Sequence, residues 1–174
     1  TWSDVRSAGT KTSKGSESTG AIPFMRVVDA EMLAFSQGVT RRGSYASYLH
    51  LSHPEIEEFL DVRKPTGGDA NRKCLNLHHA VVVPDSFMEL IHNASKYPDY
   101  DDSWPLIDPH TKLTVKTVSA RALWVKILQN RMETGEPYLM FEDAVNNDLP
   151  DFQKRKGMKV HHSNLCLSLI HISE

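Results

Sequence analysis

The residues best suited to chemistry lie together near the end of the sequence, in the run His161-His162-Ser163-Asn164-Leu165-Cys166. Cys166 follows Asn164 by two residues, and Ser163 adds a small hydroxyl group beside them. This combination is typical of a polar loop that presents a thiol. The run therefore makes Cys166 the leading candidate for a reactive residue.

Two other stretches combine glycine with cationic side chains. Residues 1–20 contain the run Lys11-Thr12-Ser13-Lys14-Gly15, in which glycine permits close backbone approach and lysine supplies charge for a phosphate. This run lacks the P-loop spacing, and its composition also suits a flexible linker. Residues 64–73 combine proline, paired glycines, Asp69 and Asn71 with three cations, which is turn chemistry. A surface turn and a functional loop are both open interpretations there.

The paired histidines, His78-His79 and His161-His162, do not favour a metal site. Neighbouring side chains on a strand point to opposite faces, so one pair cannot readily chelate a single ion. No cysteine or carboxylate lies at zinc-like spacing beside either pair. We therefore predict no metal site, and we expect Cys74, on or near a strand, to be a buried structural thiol.

The amino-acid composition argues against a nucleic-acid-binding, membrane-spanning or disulfide-rich protein. The 174 residues are 40% hydrophobic and 24% charged, which suits one globular domain or a piece of a larger one. The net charge of -2 gives no basic surplus for nucleic acid, and no apolar run is long enough to cross a membrane. Two cysteines are too few for a disulfide framework, so we predict a reducing, cytoplasmic location. Because the sequence begins at Thr1 and ends without a terminal signature, we expect a longer parent protein.

Alternating strand and helix patterns predict an α/β architecture. The predicted helices are Ile22–Gln37, a helix opening at His53-Pro54, a helix opening at Pro84-Asp85, and Val118–Thr134. The predicted strands are Tyr45–Leu51, Leu75–Val83 and Pro137–Phe141, and Tyr97–Pro109 is predicted to be an excursion loop.

Two helices carry specific expectations. In the first, apolar residues recur at helical spacing, which predicts a core-facing stripe made of Phe24, Val27, Val28, Met32 and Phe35. In the last, Ser119 is the predicted N-cap and Gly135 the predicted C-terminal stop.

Several segments, in order, resemble the central part of the large subunit of class I ribonucleotide reductases. These segments are Lys14-Gly15 with Ser18–Phe24, Ser36–Gly43, His53–Leu60, Lys64–Arg72, Thr134–Tyr138 and Ser163–Cys166. Lys64–Arg72 resembles the family's specificity loop, and Ser163–Cys166 resembles its S-N-L-C sequence. Val39 and Arg42 depart from the family's pattern. The colinear order over nearly the whole chain makes the resemblance strong.

The resemblance implies a ten-stranded α/β barrel, of which this chain supplies only some strands. In the family, the cysteine matching Cys166 becomes a thiyl radical that abstracts the 3′ hydrogen of a ribonucleotide. A thiol suits this step because its S–H bond is about as strong as the ribose C–H bond. The asparagine matching Asn164 hydrogen-bonds the ribose, and Ser163 and Arg72 are implied substrate contacts.

The same resemblance implies nucleotide control. Lys14 and Thr19 match a loop that binds dNTP or ATP effectors, while Asp69 and Asn71 match the loop that relays effector identity to the substrate site. The implied partners are a ribonucleoside diphosphate, a second large subunit and a radical-generating, metal-containing small subunit. Thioredoxin or glutaredoxin would supply reducing equivalents, and no cofactor is implied in this chain itself.

The sequence departs from the family after Cys166. A glutamate two residues past the cysteine acts as general base in the family, but Ser168 stands there and cannot serve at neutral pH. Residues 167–174 resemble a translated sequencing adapter. We therefore predict that residues 1–166 belong to the catalytic barrel and that 167–174 are a non-native tail, which resequencing the source DNA would test.

Two alternative functions stay open at this point. An adenosylcobalamin-dependent (class II) reductase shares the barrel and the thiyl chemistry, although Leu165 before the cysteine favours class I. A noncatalytic nucleotide-binding module would use the two glycine-rich loops without Cys166. We expect the isolated 174-residue chain to be inactive because a barrel needs its neighbouring strands.

Overall fold

The computed structural model describes residues 1–37 and 41–164, arranged around a short parallel sheet. Six α-helices occur among them: α1 Ile22–Ala34, α2 Ile56–Phe59, α3 Asp85–Lys96, α4 Ala120–Thr134, α5 Glu142–Asn147 and α6 Asp151–Arg155. The strands are β1 Ser36–Gln37, β2 Arg41–Arg42, β3 Ala46–His50, β4 His78–Val83, β5 Ser103–Ile107, β6 Thr114–Ser119 and β7 Tyr138–Phe141. A 3-10 turn covers Ala70–Arg72.

The parallel sheet has the strand order β3-β4-β7. Ala46 is opposite His78 in the first pair, and Ala80 is opposite Tyr138 in the second. The central strand β4 is buried on both faces, which explains its continuous run of apolar residues. The predicted strands are confirmed, with slightly shorter bounds than the sequence suggested.

The two faces of the sheet pack against different parts of the chain. Leu49, Val81 and Val83 join the main core formed with the helices. Tyr48, Ala80 and Val82 alternate with them and form a second, smaller cluster with Met140, against which Val145 and Val160 pack. We call the side with Tyr48 the inner face, since it meets the end of the described chain.

Helix α1 differs from its prediction in which side it buries. The buried residues are Ile22, Met25 and Asp29, whereas Phe24, Val27 and Phe35 are 53%, 65% and 58% exposed. The predicted core stripe was therefore wrong for these three residues, whereas Val28 and Met32 are half-buried. Asp29 explains the orientation, because its carboxylate accepts hydrogen bonds from the backbone of Asn76 (3.1 Å) and Leu77 (2.5 Å) just before β4.

The predicted excursion loop Tyr97–Pro109 was also wrong in its second half. Residues Ser103–Ile107 form β5, which pairs antiparallel with β6. Trp104 of this hairpin packs edge-on against Phe87, with ring centroids 5.0 Å apart. The hairpin thereby covers part of the helical layer.

Helix α4 follows its sequence signals closely. The hydroxyl of Ser119 accepts a hydrogen bond from the backbone N–H of Ala122, and Gly135 ends the helix with a φ of 78°. The described residues form three parallel strands and two small antiparallel pairs, and these strands close no barrel. This matches the expected partial barrel.

Candidate functional site

The segment that leads to the candidate cysteine lies against the inner face of the sheet. We call residues 158–164 the terminal segment. Ser163, in this segment, is 8% exposed and its Oγ lies 2.6 Å from the hydroxyl of Tyr48 on β3. The Ser163 hydroxyl also donates to the carbonyl oxygen of Asn164 at 2.9 Å. The terminal segment is thus fixed at its last described residues.

A second contact fixes the start of the terminal segment. The side-chain amide of Asn146 donates to the carbonyl of Val160 at 3.1 Å, and its Oδ1 accepts from the Val160 N–H at 2.8 Å. The Asn146 side chain therefore pairs with Val160 much as a neighbouring strand would.

The structure places the predicted catalytic residues only in part. Asn164 is exposed next to buried Ser163. Cys166 and the predicted tail 167–174 lie outside the described residues, so their roles stay predictions. Cys74 is buried as expected, and burial together with nearby Asp29 raises the pKa of its thiol to about 12.

The stretch around Lys14 is an ordered turn rather than a frayed linker. We call residues 9–19 the first loop. Its two sides are joined by hydrogen bonds from Gly9 N to Ser18 O and from Ser18 N to Thr10 O, each 2.9 Å long. Lys14 is exposed at the tip of this loop, and Thr19 is exposed at its end.

Asp108 anchors the base of the first loop. Its Oδ2 accepts hydrogen bonds from the backbone and hydroxyl of Ser7 (3.1 and 2.7 Å) and from the hydroxyl of Thr10 (3.0 Å). Its Oδ1 accepts from the backbone of His110 and Thr111. Burial alone would raise the pKa of Asp108, but these donors hold it well below its ordinary value. The carboxylate therefore ties the first loop to the β5–β6 hairpin.

We predict that Asp108→Asn loosens the first loop. The new amide group would point N–H donors at the donors of Ser7, Thr10 or Thr111, so several hydrogen bonds would be lost at a cost of about 2 kcal/mol. Amide hydrogen exchange across residues 7–18 should accelerate by more than tenfold. Asp99→Asn, on an exposed residue, is the matched control, and equal exchange in both variants would contradict the anchoring role.

Arg72 joins the first loop to the second loop, residues 64–73. Its Nη2 donates to Glu58 at 2.7 Å and to Glu55 at 2.9 Å, and its Nη1 donates to the carbonyl of Thr19 at 3.1 Å. The hydrogen bonds and charge of Glu58 hold the pKa of Arg72 above its ordinary value. The guanidinium of this second-loop residue thus binds the first loop through Thr19 and also binds the carboxylates of Glu58 in α2 and Glu55 at its N-terminus.

Glu55 completes this junction. Its Oε2 accepts a hydrogen bond from the backbone N–H of Ala21 at 2.8 Å, at the start of α1. Gly20 makes the approach possible, because a Cβ there would lie 2.1 Å from Glu55 Oε1. The end of the first loop, the start of α1 and the second loop therefore meet at one buried carboxylate.

The other predicted residues of the second loop shape its turn. Asp69 Oδ1 accepts from the backbone N–H of Asn71 at 2.8 Å and caps the 3-10 turn. The second loop borders an open cavity of about 390 Å³, lined by Glu58, Asp61, Lys64, Thr66, Gly67, Gly68, Asp69, Arg72 and Lys73. Asp69, Asn71, Arg72 and Thr19 thus lie in one region, at the meeting of the two loops. Within the described ranges, no hydrogen bond links Arg72 to Ser163 or Asn164.

Comparison with known proteins decides the family. The model of the family described as "Ribonucleotide reductase, barrel domain" matches residues 1–174, the whole chain. The chain belongs to the ribonucleotide reductase family.

The similar proteins agree with this assignment. The chain is 50% identical over 152 residues to the ribonucleoside-diphosphate reductase large subunit of Invertebrate iridescent virus 6, covering 87% of this chain and 16% of the relative. It is 48% identical to a putative large subunit of Frog virus 3, covering 95% of this chain and 27% of the relative. The fold matches the class Id ribonucleotide reductase alpha subunit of Actinobacillus ureae with a TM-score of 0.68 and 30% identity, covering 95% of this chain and 25% of that one. The chain thus spans less than a third of each protein it matches here.

Within this ribonucleotide reductase barrel, sequence reasoning missed one buried charged cluster. Glu136, 5% exposed, lies between β4 and β7 and accepts hydrogen bonds from Arg63 Nη1 (2.7 Å) and from the backbone N–H of His79 (3.0 Å). The Nδ1 atoms of both His78 and His79 also contact its carboxylate. The adjacent histidines, expected on opposite faces, therefore share one partner.

Sequence reasoning also missed Tyr48, Asp108 and Asn146, whose partners are distant in the chain. The only local signal was a polar residue in or beside an apolar element. Among residues 1–37 and 41–164, no group of three His, Cys, Asp or Glu side chains could hold a metal ion. Nor does this part of the ribonucleotide reductase barrel contain a helix long and apolar enough to cross a membrane.

Proposed function

We propose that this chain is part of the large, catalytic subunit of a class I ribonucleoside-diphosphate reductase, which reduces ribonucleotides to deoxyribonucleotides by thiyl-radical chemistry. The observation that carries the proposal is the terminal segment, which is fixed to the inner face of a reductase-type sheet two residues before Cys166. Asn164 is exposed at that point, so its side chain is accessible to a ribose hydroxyl.

The proposed chemistry is a hydrogen exchange at sulfur. The Cys166 thiyl radical takes the 3′ hydrogen of the ribose, which forms an S–H bond and leaves a carbon-centred radical on the substrate. Asn164 hydrogen-bonds the ribose and so orients its C3′–H bond toward sulfur, with Ser163 holding the segment. The metal-containing small subunit generates the radical, and thioredoxin or glutaredoxin restores the reducing equivalents.

We further propose that a dNTP or ATP effector binds at the junction of the two loops. Lys14 supplies charge for its phosphates, while Thr19, Asp69 and Asn71 lie nearby on the loops that Arg72 joins. Because Arg72 of the second loop binds the Thr19 carbonyl of the first loop, a ligand on the first loop can change the position of the second. That linkage supports control of substrate choice through Arg72.

A second large subunit is the proposed partner of α1. Phe24, Val27 and Leu33 on this helix, and Phe35 directly after it, are each between 47% and 65% exposed. Exposed large apolar side chains favour association with another protein surface. The helix begins at Ile22, next to Ala21, which binds Glu55 where the two loops meet, so the proposed subunit contact would adjoin the proposed effector. We place the enzyme in the cytoplasm, where cysteines stay reduced.

The experiment that tests this function is a chimaera in which residues 1–166 replace the matching stretch of the Invertebrate iridescent virus 6 large subunit. With a small subunit and a reductant, it should form deoxyribonucleotide from a ribonucleoside diphosphate without cobalamin. A chimaera that binds effector and small subunit but forms no product would instead support the noncatalytic nucleotide-binding module. The names of the relatives do not favour the class II alternative, which a cobalamin requirement would restore.

We predict that Arg72→Ala in this chimaera weakens the dependence of substrate choice on effector. Removing the guanidinium separates the two loops, and coupling of this kind is typically worth at least about fivefold in relative affinity. The ratio of products from two competing substrates, measured with different dNTPs, should therefore converge toward one value. Arg155→Ala, on the exposed surface of α6, is the matched control. An unchanged product ratio in Arg72→Ala would contradict the relay.

A further inference from the structure

Tyr48 places a buried hydroxyl in the middle of the inner face. The residue is 1% exposed on β3, packed with Ala80, Val82 and Met140, and its hydroxyl oxygen lies 2.6 Å from Ser163 Oγ. These two residues are 115 positions apart in the sequence. A hydroxyl buried in an apolar cluster is costly unless it is hydrogen-bonded, so Tyr48 and Ser163 depend on each other.

The direction of the hydrogen bonds follows from counting protons. Ser163 has one hydroxyl proton, which it donates to the carbonyl oxygen of Asn164 at 2.9 Å. The Ser163 oxygen is therefore the acceptor toward Tyr48, and the Tyr48 hydroxyl is the donor. A continuous chain of hydrogen bonds runs from the Tyr48 hydroxyl through Ser163 to the Asn164 carbonyl.

This chain ends on the peptide group that links Asn164 to Leu165. The terminal segment belongs to no helix or strand, and the backbone hydrogen bond from Met158 to the Gln153 carbonyl (3.1 Å) holds only the first residue of the segment. Its position instead depends on side chains, with Asn146 bound to Val160 at one end and Tyr48 bound to Ser163 at the other. The Tyr48 contact is the nearer of the two to Cys166 along the chain.

We propose that Tyr48 is a positioning residue for the radical-bearing segment. It holds the Asn164 carbonyl through Ser163 and so sets where the Asn164 side chain meets the substrate. This inference rests on the proposed function for its catalytic consequence, although the positioning itself does not. Displacement of a reacting group by about 1 Å can cost about 100-fold in rate, so a lost anchor should be visible in turnover.

The first test is a double-mutant cycle in the chimaera with Tyr48→Phe, Ser163→Ala and the double variant. Each single change should lower kcat by about tenfold. In Tyr48→Phe, KM should change less than about twofold, because Tyr48 is not a proposed substrate contact and the ribose contact of Asn164 is kept. The double variant should be no slower than either single variant, since both changes break the same chain. Multiplicative effects, or a kcat unchanged in Tyr48→Phe, would overturn the proposal.

A matched control separates positioning from general damage to the sheet. Tyr138, on β7, packs against the same inner-face cluster and its ring stacks on His78 at 6.0 Å. Tyr138→Phe removes the same atom from the same face and should leave kcat unchanged. If kcat fell as much in Tyr138→Phe as in Tyr48→Phe, loss of any tyrosine hydroxyl on this face would reduce activity, and a specific role for Tyr48 would be overturned.

The second test does not depend on catalysis. In the 174-residue chain, the backbone N–H order parameters of Ser163 and Asn164, measured by NMR relaxation, should fall equally in Tyr48→Phe and Ser163→Ala, with no further fall in the double variant. Unchanged order parameters in Tyr48→Phe would overturn the positioning role even if the chimaera were active. Lower order parameters with an inactive wild-type chimaera would support the positioning role and count against the proposed function instead.

Discussion

Cys166→Ser in the chimaera should abolish formation of deoxyribonucleotide. An alcohol O–H bond is much stronger than a ribose C–H bond, whereas a thiol S–H bond is close to it. A seryl oxygen therefore cannot exchange hydrogen reversibly with the substrate, and acid–base chemistry cannot replace that step. Product formation measured with saturating substrate, effector and small subunit should fall to the background of the assay.

Cys74→Ala provides the control for this experiment. Cys74 is buried in the main core, and the raised pKa of its thiol keeps it protonated at neutral pH. Its removal should reduce stability by about 1 kcal/mol and leave turnover within about twofold of the starting enzyme. Retained activity in Cys166→Ser, or complete loss in Cys74→Ala, would contradict the assignment of the radical to Cys166.

Glu136→Gln should reduce the free energy of unfolding by about 3–5 kcal/mol, the usual cost of breaking a buried ion pair. The glutamine has no charge to balance Arg63, and its amide nitrogen would face one of the N–H donors that now converge on the carboxylate. The loss would fall where β4 and β7 begin to pair. Urea denaturation of the 174-residue chain would measure it.

Glu133→Gln is the comparison for this variant. Glu133 pairs with Lys64 at 3.1 Å but its side chain is 59% exposed, so its loss should cost less than about 1 kcal/mol. Equal destabilisation by the two variants would show that burial of Glu136 does not matter.

The Glu136 cluster also predicts how stability depends on pH. Burial raises the pKa of Glu136, but contacts with His79, His78 and Arg63 outweigh burial and lower it from 4.5 to about 2. The folded chain thus binds fewer protons than the unfolded chain, so this contribution is complete above pH 4.5 and is lost as pH falls toward 2. The shift corresponds to about 3 kcal/mol. Burial also lowers the pKa of His79, which extends the decline upward toward pH 6.5. Glu136→Gln should flatten the acid part of this profile.

Local sequence signals were sufficient for elements whose determinants lie within a few residues. The cap at Ser119, the stop at Gly135 and the apolar run of β4 are of this kind. Helical periodicity located α1 but not its buried side, because an apolar stripe can face another molecule as well as the core. The hairpin strand β5 was missed because Asp101, Asp102 and Pro105 resemble loop composition.

The residues of the candidate site likewise comprise some that the sequence predicted and some that it did not. Resemblance to the family pointed to Lys14, Asp69 and Arg72, and the structure shows how the two loops meet. The residues that hold the site together were not predictable. The hydrogen bonds of Tyr48 to Ser163, of Asp108 to Ser7 and of Glu136 to His79 join residues that are 57 to 115 positions apart in the sequence. Only the folded chain brings such pairs together.

The binding of Arg72 to the first loop and to the carboxylates of Glu55 and Glu58 has a thermodynamic consequence. A substrate that recruits this guanidinium must first release it from Glu58, Glu55 and the Thr19 carbonyl, and that release alters the surface offered to an effector. Coupling free energies are reciprocal, so the factor by which an effector favours one substrate must equal the factor by which that substrate tightens effector binding. If substrate and effector bind at the sites proposed above, the substrate is itself a regulator of the effector site, and its influence passes through the same arginine.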